Sequence, residues 1–347
     1  MARLGGMFGP DVTFLGVDRC DIDDPESLRD VDIVVIGAPY DAGASYRAGA
    51  RFGPQAIRST DYLPHDGSRP HLALRVDPLR DLRIRDAGDI EMAGVEGRAP
   101  LDRLENAVRT AAEAGAIPLV LGGDHTITWP DVTGVAHAVG WGRVSVIHFD
   151  AHADTGEEQF GSLIGHGLPM RRLIESGATR GDRFLQIGLR GYWPEPPTLD
   201  WMAEQGMRSF EMAEIVRRGL DTCLAEAFAI AVDDCDGVFL SVDIDVVDPG
   251  SAPGTGTPEP GGLTARQLLD TVRRIAIELP LVGIDVVEVS PPYDSADVTA
   301  FLANRVVLEV LSGIAFRRTG KTWADIPSTL LEGRTSAPET GGRRESP

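Results

Sequence analysis

Two histidines and four aspartates carry the chemistry that this sequence advertises. His125 closes the run Gly122-Gly123-Asp124-His125. Asp150, His152 and Asp154 form a D-x-H-x-D pattern, and Asp243 and Asp245 form D-x-D. Side chains two apart on an extended segment point the same way, so each pattern presents its donors on one side. Four carboxylates and two imidazoles without a thiolate suit a hard to borderline divalent cation, Mn²⁺ first, with Ni²⁺ and Zn²⁺ as competitors. Without cations, four clustered carboxylates would repel one another by several kcal/mol or take up protons. Six donors exceed what one four-coordinate ion needs, which points to two ions. Asp124 would point away from His125 on an extended chain and is expected to support the site. His148, inside an apolar run, is expected to pack in the core or to hold a ligand carboxylate. His65, His71 and His137 belong to no such cluster.

These donors sit where elements end. Short apolar runs at 32–37, 116–121, 144–149, 184–188, 237–242 and 281–287 alternate with stretches of helical spacing. Continuous apolar runs read as strands buried on both faces, as in a parallel sheet covered by helices. The three donor groups follow the second, third and fifth of these runs, at carboxyl ends that converge on a crevice in an open α/β sheet. A helix is expected over 101–114, with Leu101, Leu104, Ala107, Val108 and Ala111 on one face. Another is expected over 264–278, where Thr264 and Gln267 form a capping box. Asp248 before Pro249 reads as turn chemistry, and Gly254 and Gly256 as places where backbone approaches the crevice rim closely. A phosphate cradle is excluded because no P-loop Lys or Ser/Thr follows.

The chain of 347 residues carries 33 basic against 53 acidic side chains, a net charge of −20. That surface offers no field for nucleic acid or anionic lipid and favours cationic small molecules. Cys20, Cys223 and Cys235 are scattered, give neither a disulfide framework nor a metal clip, and fit a reducing cytoplasm. The first ten residues lack an apolar leader core and no apolar run approaches ~20 residues, so no membrane span is expected. The domain reading is a 1–30 extension, one catalytic domain over 31–317, and a polar 318–347 extension expected to be disordered at its end.

The segments Gly122-Gly123-Asp124-His125, His148-Phe149-Asp150-Ala151-His152-Ala153-Asp154, Ser241-Val242-Asp243-Ile244-Asp245 and Glu288-Val289-Ser290-Pro291-Pro292-Tyr293-Asp294 resemble the signatures of the ureohydrolase (arginase/agmatinase) family. Gly37-Ala38-Pro39-Tyr40-Asp41, the run from Tyr46 to Pro54, Gln186-Ile187-Gly188-Leu189-Arg190 and the run from Pro253 to Pro258 resemble its agmatinase-like branch. The resemblance implies a three-layer α/β/α fold with a mostly parallel sheet, arginase/deacetylase-like, and two Mn²⁺ per subunit, with Ni²⁺ as the alternative. His125, Asp150, Asp154 and Asp243 would hold one ion. His152 and Asp245 would hold the other, with Asp150 and Asp243 bridging. A guanidinium carbon is a poor electrophile, so the reaction needs water activated by the metal pair. Glu288 would grip the guanidinium by charge-assisted hydrogen bonds. Asp154 would protonate the leaving amine, and His166, in Gly165-His166-Gly167-Leu168-Pro169-Met170, would exchange protons with solvent. Leu168 and Met170 stand where Thr and Phe are usual in the branch. The resemblance further implies a cytoplasmic homotrimer or homohexamer.

The expected reaction is hydrolysis of a small guanidino compound to urea and an amine, with agmatine, giving putrescine, ranked first. Glu157 and Glu158 are candidates to face its distal ammonium. The alternatives are 4-guanidinobutyrate, 3-guanidinopropionate or proclavaminate-type substrates, for which Arg47 and Arg190 are available, and free guanidine with nickel, favoured if Tyr192-Trp193 shortens the pocket. A zinc deacetylase of related fold conflicts with the second-site ligands His152 and Asp245. A metal-binding regulatory homologue would have lost ligands, and all six are present.

Overall fold

The computed structural model describes residues 12–60, 70–92 and 97–328. Eight strands form one sheet: β1 (Ile33–Ala38), β2 (Ile84–Asp89), β3 (Ile117–Gly122), β4 (Val144–Phe149), β5 (Phe184–Ile187), β6 (Arg208–Phe210), β7 (Gly237–Asp243) and β8 (Leu281–Val287). Their order is β2-β1-β3-β8-β7-β4-β5-β6, and every pairing is parallel. The six expected strands are present within one or two residues. β2 and β6 were not expected from the sequence: β2, Ile-Arg-Asp-Ala-Gly-Asp, and β6, three residues long, lack the apolar run that marks a strand buried on both faces.

The alternation along each strand divides the core into two layers. Ile33 and Val35 of β1 and Leu119 and Leu121 of β3 pack on one face with the helices Ala265–Glu278 and Val298–Arg318. Val34 and Ile36, with Val120, pack on the other with the helices Ala99–Glu113 and Thr128–Val139. The result is the expected three-layer α/β/α sandwich, and the sheet is wholly parallel. The capping box at Thr264 and Gln267 forms as expected. The helix Val298–Arg318 corrects the expectation of no long apolar segment: its 21 residues are long and apolar enough to cross a membrane. Most of it is buried against Ala265–Glu278 inside the protein, which accounts for its composition.

The acidic segment from Asp21 to Glu26 is packed into the fold. Asp24 caps the 3₁₀ turn Pro25–Leu28, and Ile22 and Leu28 are buried. Arg58, almost fully buried, is clamped by Asp86 and Asp89, while Asp86 also accepts the N–H of Phe14, so the N-terminal segment is tied to β2. His71 pairs with Glu309, and His137 lies 3.4 Å from Glu105. The three cysteines are unbridged. His65 and the polar tail from 329 lie outside the described residues.

Candidate active site

All six expected donors meet at the carboxyl ends of three of the four central strands, β3, β7 and β4. The fourth, β8, runs between β3 and β7 and delivers Glu288 to the same place. The route by which they converge differs from the expected extended alternation. Asp243 caps the 3₁₀ turn Ile244–Val246, its Oδ1 accepting the N–H of Asp245 at 2.7 Å. Asp154 adopts φ 52° and Glu288 φ 62°, the left-handed region that costs a non-glycine residue on the order of 1–3 kcal/mol. Two of the three residues assigned to handle protons or substrate are therefore held in unfavourable backbone by the surrounding fold. At the end of β3, a side chain at Gly123 would lie 1.8 Å from the carbonyl oxygen of Tyr40, so only glycine lets the two segments pass.

The donors enclose His125. Its Nδ1 lies 3.0 Å from Asp150 Oδ2, 3.1 Å from Asp154 Oδ2 and 3.2 Å from Asp243 Oδ2. That nitrogen is fully buried and has no hydrogen-bond partner. The other ring nitrogen, Nε2, lies 3.0 Å from Ser241 Oγ, which can take the ring proton and leave Nδ1 bare among the three oxygens. Alongside, His152 Nδ1 lies 3.0 Å from Asp245 Oδ2, itself a buried atom without a hydrogen-bond partner, and 3.5 Å from Asp150 Oδ1. A nitrogen lone pair ringed by three carboxylate oxygens is repulsive unless a cation sits among them. The two oxygens of Asp150 face the two rings, the disposition of a bridging carboxylate. The residues thus fit a pair of divalent ions. Burial opposes protonation of His152, yet Asp245 and Asp150 raise its pKa to about 12, so metal capture must displace protons.

Further groups hold the donors in place. Nδ1 of His148 accepts from Gln186 Nε2 at 3.2 Å, so its Nε2–H donates to Asp150 Oδ2 at 2.9 Å. The expectation of a partner to a ligand carboxylate is thereby met. Gln186 and Ser241 were not identified as site residues, although both stand inside the signature-like segments, which were the one sequence signal that could have found them. Asp124 stands outside the donor ring: it caps the turn at His125 and accepts the N–H of Gly43 at 2.8 Å, pinning the loop that follows β1. Asp248 serves a turn, accepting from Gly250 and Gly261.

A cavity of roughly 250 Å³ opens over His152, Asp154 and Asp243, walled by Ser45, Gly156, Glu158, Gln159, His166, Leu168, Trp193 and Thr257. His166, 8% exposed, is no free loop histidine: its Nδ1 lies 2.9 Å from Glu288 Oε1. Burial opposes its protonation, and Glu288 reverses this, raising the pKa to about 9. Glu288 Oε1 also accepts the N–H of His125 at 2.9 Å, so the outer oxygen, Oε2, is the one turned toward Gly256. Arg190 is spent on the fold, its guanidinium donating to the carbonyls of Gly188, Asp245, Val246, Glu259 and Pro260. Arg47 stacks 5.2 Å from the rings of Tyr46 and Tyr293. Tyr192 is fully exposed, whereas Trp193 reaches the cavity.

A wholly parallel α/β/α sandwich with paired candidate metal sites at its central strand ends is the plan of a metal-dependent hydrolase built on an open sheet. The chain belongs to the arginase family, whose model matches residues 31–313. Members of this family are binuclear metal-dependent amidinohydrolases acting on guanidino compounds. It is 40% identical to proclavaminate amidinohydrolase of Streptomyces clavuligerus over 83% of this chain and 89% of the relative. The solved structure of that enzyme superposes with TM-score 0.79, covering 90% of this chain and 100% of the other. The chain is 39% identical to guanidinopropionase of Pseudomonas aeruginosa (84% and 88% covered) and 37% identical to the mitochondrial agmatinase of Gallus gallus (82% of each).

Proposed function

We propose that this chain is a Mn²⁺-dependent amidinohydrolase that converts agmatine to putrescine and urea. The observation that carries this reading is the charge of the cavity wall. Among the described residues lining it, Glu158 is the only charged side chain beyond His152, Asp154, His166 and Asp243, and none is Arg or Lys. A distal ammonium would meet a carboxylate there, and a distal carboxylate would meet no cation.

His125, Asp150, Asp154 and Asp243 would hold one ion, and His152 and Asp245, sharing Asp150 and Asp243, the other. When bound, the pair supplies Lewis acidity that activates water near neutral pH and stabilises negative charge developing at carbon. The Oε2 of Glu288 takes the guanidinium by charge-assisted hydrogen bonding and fixes the orientation of its carbon. Water adds to that carbon and gives a proton to Asp154, the bond to the alkyl nitrogen breaks, and Asp154 passes that proton to the leaving amine. His166, within the field of Asp154, exchanges protons between the site and solvent.

A second reading, hydrolysis of a guanidino acid, is favoured by the names of the two relatives at 40% and 39% identity. The deciding experiment measures urea release with Mn²⁺ or Ni²⁺ from agmatine, 4-guanidinobutyrate, 3-guanidinopropionate, arginine and guanidine, with Asp150→Asn as control. Urea from agmatine that disappears in the control supports the first reading. A guanidino acid as the better substrate replaces it with the second.

A further inference from the structure

We propose that the hydroxyl of Ser45 is the exit through which His166 passes its proton to solvent, which makes Ser45 a positioning residue for turnover. The inference deepens the reading of His166 as the proton carrier and rests on it. Three contacts define the arrangement. His166 Nδ1 faces Glu288 Oε1 at 2.9 Å, while Nε2 faces both Ser45 Oγ at 2.7 Å and the backbone N–H of Ser45 at 3.0 Å.

The two Ser45 groups act differently on the ring. A backbone N–H only donates, so its bond to Nε2 requires the neutral ring, whose proton then lies on Nδ1 toward Glu288. When Nε2 takes a proton, that bond is lost, because two donors cannot point at each other. The hydroxyl serves both states: it donates to the bare Nε2 and accepts from the protonated one. Ser45 is exposed while His166 is buried, so the hydroxyl also spans the boundary between cavity and solvent. In the transfer, Nε2–H passes its proton to Ser45 Oγ as the Ser45 hydroxyl proton goes to bulk water. The reverse sequence recharges the ring, and no other reactant is consumed. The charged groups acting on His166 are Glu288, Asp124 and Asp154, which come from the ends of β8 and β3 and from the loop after β4. All three favour its protonation. Burial and the Ser45 N–H oppose it, so deleting the hydroxyl, which can accept from the protonated ring, shifts the balance toward the neutral ring.

The placement of Ser45 is itself built into the fold. The loop carrying it is fastened on each side: Gly43 N–H donates to Asp124, its carbonyl accepts from His166 N–H at 3.0 Å and from Gln159 Nε2 at 2.8 Å, and Gly49 N–H donates to Asp41. Such anchoring holds the hydroxyl within reach of the ring through successive turnovers.

The test compares pH–rate profiles of the metal-loaded wild type, Ser45→Ala, Ser45→Thr and His166→Asn on whichever guanidino compound the wild type hydrolyses. Ser45→Ala is expected to lower kcat about tenfold with KM within about twofold. The limb of the profile that vanishes in His166→Asn should move about one pH unit lower, and Ser45→Thr should restore both. A Ser45→Ala profile superimposable on wild type, with His166→Asn strongly impaired, overturns the role of Ser45 alone. A fully active His166→Asn, or no urea from the wild type with any substrate, overturns it together with the reading on which it rests.

Discussion

The imidazole of His148 is the hydrogen-bond donor that fixes Asp150, its Nε2 lying 2.9 Å from Oδ2 while Gln186 occupies the opposite ring nitrogen. Asp150 is the carboxylate that faces both candidate ion sites, so its orientation governs both. Replacing His148 by Phe, which suits the neighbouring Phe184 ring 5.8 Å away, is expected to keep the fold and weaken metal retention about 10–100-fold. Metal content after dialysis against graded chelator measures this, and unchanged retention would show that Asp150 needs no such support.

Removal of metal should expose the repulsion among the donors. Burial first, then Asp245 and Asp150, push Asp243 well above the ordinary carboxyl range in the metal-free protein. A raised carboxyl pKa weakens the fold as pH climbs above about 4. Asp243→Asn should therefore raise the melting temperature of chelated protein at pH 7 while shrinking the increment that Mn²⁺ gives. For the wild type that increment is about 4 kcal/mol at a thousandfold excess over Kd. Thermal melts of both proteins with EDTA and with Mn²⁺ check both halves, and a metal-free variant less stable than wild type would refute the first.

Substrate charge should respond to Glu158. Because this side chain is exposed, its attraction for an ammonium is on the order of 0.2–1 kcal/mol. Glu158→Gln should raise KM for agmatine about two- to fivefold with kcat nearly unchanged, the mark of lost ground-state binding. Glu158→Arg should shift preference further, toward guanidino acids. Ratios of kcat/KM for agmatine and 4-guanidinobutyrate in the three proteins give the answer.

Away from the site, Asp131 is fully buried in the helix Thr128–Val139 with neither carboxyl oxygen hydrogen-bonded. Burial and then the charge of Asp285 raise its pKa well above the ordinary carboxyl range. Asp131→Leu should stabilise the protein by about 1–4 kcal/mol at pH 8. Below about pH 4, where the carboxyl is protonated in folded and unfolded chains alike, most of that gain should vanish. Urea midpoints at the two pH values distinguish this charge effect from simple apolar packing, which would be independent of pH.

The candidate metal donors were legible as a cluster because strand termini and two-residue spacing are local properties. Val144–Phe149 is a run of buried residues followed at once by Asp150, His152 and Asp154, and the sheet had only to bring three such runs together. The groups that support them were illegible for the opposite reason. Ser241 meets His125 from 116 residues away, and Ser45 meets His166 from 121, so no window of sequence contains either pair. The uses of Arg190 and Arg47 were equally hidden: a lone arginine reads the same whether it faces substrate or backbone carbonyls. β2 escaped notice because its Arg58–Asp86 pair places charge inside a buried layer, where the period of apolar residues is interrupted.

The order of the strands has a consequence for biosynthesis. β8, made last, is inserted between β3 and β7, and β3 contacts β7 through it alone. A nascent chain that has emerged through Asp245 already carries all six donors, yet His125 and Asp243 are separated by a gap that only residues Leu281–Val287 can fill. The candidate metal centre is therefore assembled only in the finished sheet, and a ribosome-bound fragment halted before β8 has all six donors and no centre.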